Sequence, residues 1–227
     1  MKKFNLSINK IIILLFLSIK PLHSAEMTDP IKIDWSFKGL TGTFDRASLQ
    51  RGFQVYKEVC SSCHSMQYLS YRNLGESGGP EFTEAEVKAI AASFEVTDGP
   101  DSQGEMFTRP GRPSDMFVSP HPNKEAAAAA NGGAYPPDMS VLVKARKGGA
   151  NYIYSVLVGY EDPPPGITLD QGVYYNKYMT GNKIKMPNNL EDGLIEYADG
   201  TVSTVDQMAK DVTTFLAWAA EPELEER

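Results

Sequence analysis

Two cysteines and three histidines in 227 residues leave little material for covalent bracing or metal cages. A disulfide-dense secreted scaffold is excluded, because such domains need several cysteine pairs. Basic charge is also short: 22 Lys and Arg face 29 Asp and Glu, for a net charge of −7, so a nucleic-acid partner is disfavoured. The apolar run Ile11 to Ile19 is nine residues long, too short to cross a hydrocarbon core of roughly 30 Å. No internal repeat and no alternating strand and helix pattern occur. The chain does hold 41 % apolar residues and 10 % aromatics, enough for a sizeable core in one domain with elaborated loops.

Residues 1–25 read as an export signal, with Lys2, Lys3 and Lys10 ahead of the apolar run and small residues at Ser24 and Ala25. That leader holds four lysines and no acid, so its removal takes the charge from −7 to −11 for residues 26–227. An acidic exported protein attracts a basic soluble partner and steers its approach.

Glycine and proline divide the remainder into short helices and long loops. Leu49, Phe53, Tyr56 and Val59 recur three or four apart, predicting a helix from Asp45 to Cys60. Thr83-Glu84-Ala85-Glu86 fits a capping box, followed by the apolar face of Val87, Ile90 and Phe94. Residues 99–123 read as loop, and a helix over Ala126 to Ala130 is stopped by Asn131-Gly132-Gly133. Further helices are predicted over Ser140 to Lys147, over Asn151 to Gly159, and from Asp206 to just before Pro222. The last carries the stripe Val205, Met208, Val212, Phe215 and Leu216.

Both cysteines fall in Cys60-Ser61-Ser62-Cys63-His64, the attachment signature of a c-type haem. Thiols three positions apart reach the two vinyl groups of one porphyrin, and the adjacent histidine is set under the iron. A thioredoxin-type dithiol is the competing reading, which export to an oxidising compartment also permits, but no βαβ pattern surrounds the motif. A structural zinc site would want further ligands, and only His23 and His121 remain.

With His64 as one axial ligand, the other axial position separates electron transfer from small-molecule binding. The candidates are His121 and the methionines Met106, Met116, Met139, Met179 and Met186. Met186 stands out because Pro187 stiffens its loop and no apolar helical stripe claims it. Arg146, in the basic cluster Lys144 to Gly149, reads equally as a partner for haem propionates or as a charge at a helix C-terminus.

The sequence around these residues resembles the cytochrome c1 family, the haem subunits of the quinol-oxidising cytochrome bc1 complex. The resemblance rests on Leu49 to Tyr56 leading into the haem motif, on Tyr71-Arg72-Asn73-Leu74, on Arg109-Pro110-Gly111, and on Ala128 to Ser140. Ala145 to Gly149, Tyr152 to Ser155 and Gly159 to Pro164 extend it. It implies a mainly α, enlarged class I cytochrome c fold with long loops and one covalently bound haem, the ligands His64 and Met186 lying 122 residues apart. It further implies that Met186 is the sixth ligand, that Arg146 and Tyr152 contact the propionates, and that Asn131, Pro136 and Pro137 line the pocket.

The implied role is to accept an electron from the Rieske iron-sulfur protein and pass it to a soluble, basic cytochrome c, with cytochrome b handling the quinol. The implied location is a bacterial inner membrane, haem domain on the periplasmic side. A five-coordinate haem protein that binds gas or peroxide is the alternative. Three departures from the family pattern are visible: Lys185 precedes the methionine where a small residue is usual, no cysteine pair braces the ligand loop, and no membrane-spanning run follows Arg227. The last points to a missing C-terminal anchor.

Overall fold

The computed structural model describes residues 28–226. The export signal read over residues 1–25 lies outside them. Five α-helices dominate: α1 (Arg46–Val55), α2 (Glu84–Ala92), α3 (Lys124–Ala130), α4 (Gly149–Val158) and α5 (Val205–Ala220). Two small antiparallel hairpins accompany them, β1 (Glu95–Asp98) with β2 (Phe107–Pro110) and β3 (Tyr174–Tyr175) with β4 (Lys183–Ile184). Among the described residues, no helix is long and apolar enough to cross a membrane.

Four of the five helices start where a side chain satisfies a free N–H group of the first turn, and α4 starts at Gly148 without one. The Asp45 carboxylate accepts from Ser48 N at 2.9 Å and starts α1. Thr83 and Glu86 form the reciprocal capping box expected for α2, Thr83 N donating to Glu86 Oε2 at 2.8 Å. Asn123 starts α3 and Thr204 starts α5.

The core is the crossing of α1 and α5. Leu49, Phe53 and Val55 meet Met208, Val212, Phe215 and Leu216, all 4 % exposed or less. An aromatic cluster extends it: Phe53 and Phe215 pack edge to face at 5.7 Å between centroids, and Tyr71 stacks on Phe117 at 4.8 Å. Gly52 makes the close crossing possible, since a Cβ there would lie 2.1 Å from the Asp211 carbonyl oxygen. Buried Asp211 is ion-paired to Arg51 at 2.9 Å and accepts from Ser48 Oγ at 2.7 Å, so the same crossing carries a polar clamp.

Two expectations need correction. Residues 140–147 form successive turns rather than a helix. Ser140 is drawn aside by its neighbours, its N–H donating to Asp138 Oδ1 and its hydroxyl accepting from Tyr68 N at 3.1 Å. Gly148 and Gly149 at φ +94° and +54° then turn the chain into α4. The loop expected over 99–123 contains strand β2, paired with β1. Arg109 of β2 is held by Asp98 and by Asp115, at 2.6 and 3.0 Å from the latter.

The segment before α1 packs as a strap on α4. Ile31 N donates to Ser155 Oγ at 2.8 Å, and Ile33 N and Trp35 Nε1 both donate to Asn151 Oδ1.

Candidate functional site

Between the end of α1, the 130–139 loop, α4, the 184–190 loop and α5 lies a cavity of about 580 Å³. All nine residues selected from the sequence line it: Cys60, Cys63, His64, Asn131, Pro136, Pro137, Arg146, Tyr152 and Met186.

Helix α1 delivers the motif. Its last turn widens over Tyr56 to Cys60 into a π-helical turn, closed by Ser61 N to Tyr56 O at 2.8 Å. The chain then folds back so that His64 N donates to Cys60 O at 2.9 Å, which sets Cys60, Cys63 and His64 on one wall. The two cysteines are not bonded to each other. Burial, with the neighbouring Cys63, pushes the Cys60 thiol up to about 12. A thiol held protonated at neutral pH is the opposite of the lowered pKa that makes a dithiol reactive.

The His64 imidazole is oriented by one contact. Its Nδ1 lies 2.8 Å from the Pro137 carbonyl oxygen, which only accepts, so Nδ1 carries the proton and Nε2 is left with a bare lone pair. Burial lowers the histidine pKa, partly offset by that hydrogen bond, and keeps the ring neutral. Asp138 fixes the strand of chain that supplies the Pro137 carbonyl. It accepts from Ser65 Oγ at 2.7 Å and Gln67 N at 2.9 Å with one oxygen, and from Ser140 N at 2.9 Å with the other. Burial raises its pKa, but these hydrogen bonds outweigh it and hold the carboxyl below its usual value.

The methionines separate by position. Met106 and Met116 are 60 % and 49 % exposed and lie away from the cavity, as does His121. Met139, Met179 and Met186 all line it. Met139 sits beside the histidine, its N–H donating to Ser65 O at 2.8 Å. The Met179 sulfur already accepts from the Tyr152 hydroxyl at 3.0 Å. Met186 is borne on the loop after β4, and the Tyr160 hydroxyl donates to its carbonyl oxygen at 3.0 Å.

The electrostatics of the wall are one-sided. Among the described residues no acid lines the cavity, and its two permanently charged side chains are Arg146 and Lys185. Arg146 makes no ion pair among the described residues and donates to Ala145 O at 3.1 Å. Lys185 Nζ donates to Gly132 O at 3.2 Å, which spans two loops across the wall. Sequence reasoning missed the apolar lining: Ile153, Val156 and Leu157 of α4, Leu142, and Val212 and Leu216 of α5. The α5 stripe serves both the core and the cavity wall. Nothing in the periodicity of a stripe distinguishes a residue facing another helix from one facing a cavity.

A mostly helical chain that closes an apolar, acid-free cavity over a Cys-x-x-Cys-His sequence has the build of a c-type cytochrome. Residues 35–227 match the model of the Cytochrome C1 family, and the chain belongs to that family. It is 54 % identical to the mitochondrial cytochrome c1-2 heme protein of Solanum tuberosum over 193 residues, covering 85 % of this chain and 73 % of that protein. Cytochrome c1 of Rhodospirillum rubrum is 51 % identical over 212 residues, covering 86 % and 77 %. The mitochondrial cytochrome b-c1 complex catalytic subunit of Candida albicans is 50 % identical, covering 87 % and 68 %. Against the Arabidopsis thaliana relatives the chain spans 62 % of their length.

Proposed function

We propose that this chain is the haem-bearing electron-transfer subunit of a cytochrome bc1 complex. One haem c is attached through Cys60 and Cys63 and its iron is held by His64 and Met186, within an enlarged class I cytochrome c fold. The electron comes from the Rieske iron-sulfur protein and leaves to a soluble, basic cytochrome c, cytochrome b being the quinol-handling neighbour. The haem domain stands on the periplasmic side of a bacterial inner membrane once residues 1–25 are removed.

The observation that carries this reading is the cavity: residues drawn from segments 122 positions apart line one apolar space whose permanent charges are cationic. That charge balance fits a flat apolar macrocycle bearing two carboxylates, for which Arg146 offers its planar fork. A bound haem supplies reversible one-electron chemistry at its iron. The chain's own residues do the rest. Cys60 and Cys63 anchor, the Pro137 carbonyl holds the His64 ring in the tautomer that leaves Nε2 free, and the apolar walls of α4 and α5 exclude water. Thioether ligation by Met186 favours the reduced state and raises the potential.

The test is the visible spectrum of the haem-loaded protein, reduced and then exposed to carbon monoxide. A spectrum unchanged by carbon monoxide supports a closed His64 and Met186 pair; a clear shift means an open iron and moves the function to gas or peroxide binding.

A further inference from the structure

The loop that carries Met186 is short of attachments. Between β4 and buried Leu190, residues 185–189 make no backbone hydrogen bond to another segment among the described residues. Side-chain tethers join this stretch to other segments, the exposed Lys185 ammonium donating to Gly132 O and the Tyr160 hydroxyl donating to Met186 O at 3.0 Å. The chain has no cysteine beyond the haem motif to brace the loop.

Tyr160 is itself rigidly seated. It follows the last turn of α4 and pairs as an isolated bridge with Asn176, which is fully buried. Lys177 N donates to Gly159 O at 3.1 Å, and the Asn176 amide donates to Val156 O at 2.7 Å. Its backbone is therefore fastened to the same helix that presents Tyr152, Ile153, Val156 and Leu157 to the cavity. The ring lines the cavity between that helix and the loop, with its hydroxyl donating to the Met186 carbonyl oxygen.

We infer that Tyr160 is a positioning residue for the sixth ligand: its hydroxyl, bonded to the Met186 carbonyl, sets the height of the ligand loop over the cavity and keeps the thioether on the iron. This rests on the ligation by Met186 proposed above. Lys185 acts at the exposed end of the same loop, where a hydrogen bond competes with water and contributes less.

The test is Tyr160→Phe in the haem-loaded full chain, which keeps the ring and removes the hydroxyl. Losing one neutral hydrogen bond of about 1 kcal/mol raises the population with Met186 off the iron about fivefold, at 1.4 kcal/mol per tenfold. Carbon monoxide affinity should rise by that factor, the sulfur-to-iron charge-transfer band of the oxidised protein should weaken, and the reduction potential should fall. A Tyr160→Phe protein that binds carbon monoxide no better than the parent, with unchanged band and potential, overturns the inference. Should the parent itself bind carbon monoxide freely, the Met186 ligation fails first, so the two failures are distinguishable.

Discussion

Replacing Gly52 with alanine adds one methyl group at the closest approach of α1 and α5. The new Cβ would stand 2.1 Å from the Asp211 carbonyl oxygen and 2.7 Å from both the Asp211 carbonyl carbon and Phe215 Cβ. Two of those neighbours are helix backbone and cannot rotate away. Restoring ordinary contact of about 3.5 Å requires the two helices to part locally by more than an ångström. Overpacking of this kind costs about 3 kcal/mol or somewhat more, and the higher helix propensity of alanine returns at most about 1 kcal/mol. Separation also stretches the Arg51 and Ser48 contacts to Asp211 and loosens Phe53 against Phe215. The expected net loss is about 2 to 3 kcal/mol. Guanidinium unfolding of the haem-loaded protein followed by circular dichroism should show a lower midpoint at unchanged slope. A variant as stable as the parent, or more stable, would mean that helix propensity dominates and that the crossing is not as tight as described.

On the proposed attachment through Cys60 and Cys63, Met186→Leu should leave the haem bound while opening the iron to carbon monoxide and lowering the reduction potential; an unchanged reduced spectrum and potential would exclude Met186 as ligand. Acid should weaken the β1 and β2 hairpin through Asp115. The hydrogen bond from Arg109 holds its carboxyl at about 2, below its ordinary 3.8. The sign follows: the contribution is complete above pH about 4 and disappears as pH falls toward 2. Asp115→Asn should accordingly be less stable than the parent at neutral pH, with the gap in melting temperature closing as pH drops to 2; a gap independent of pH would assign the loss to packing instead.

Much of the local structure was legible because it depends on neighbours in the chain. Asp45, Thr83 and the two glycines after Asn131 mark helix ends through contacts within three or four residues, and the structure has helices there. The five helices expected at 45–60, from 83, at 126–130, at 151–159 and from 206 appear within a few residues of their predicted limits. The helix expected over 140–147 fails because the tie between Ser140 and Tyr68 is made across 72 residues, beyond the reach of any periodicity. Strand β2 was missed for a similar reason: Phe107-Thr108-Arg109-Pro110 carries no alternation of its own and is ordered by its pairing with β1 and by Arg109.

The site divides in the same way. By itself the sequence determined the haem motif, because two thiols and an imidazole at fixed spacing are a local chemical requirement, and it determined the acidity of the whole chain. It left six axial candidates open until the resemblance favoured Met186. Only the tertiary structure decided that Met106, Met116 and His121 lie away from the cavity, and that Met179 is engaged by Tyr152 while Met139 lies beside His64. It alone decided that the α5 stripe is shared between core and cavity wall, and that Tyr160 reaches the Met186 loop. The physical reason is that a cavity wall is built where distant segments return to one place, and the packing that brings them there is a property of the whole chain.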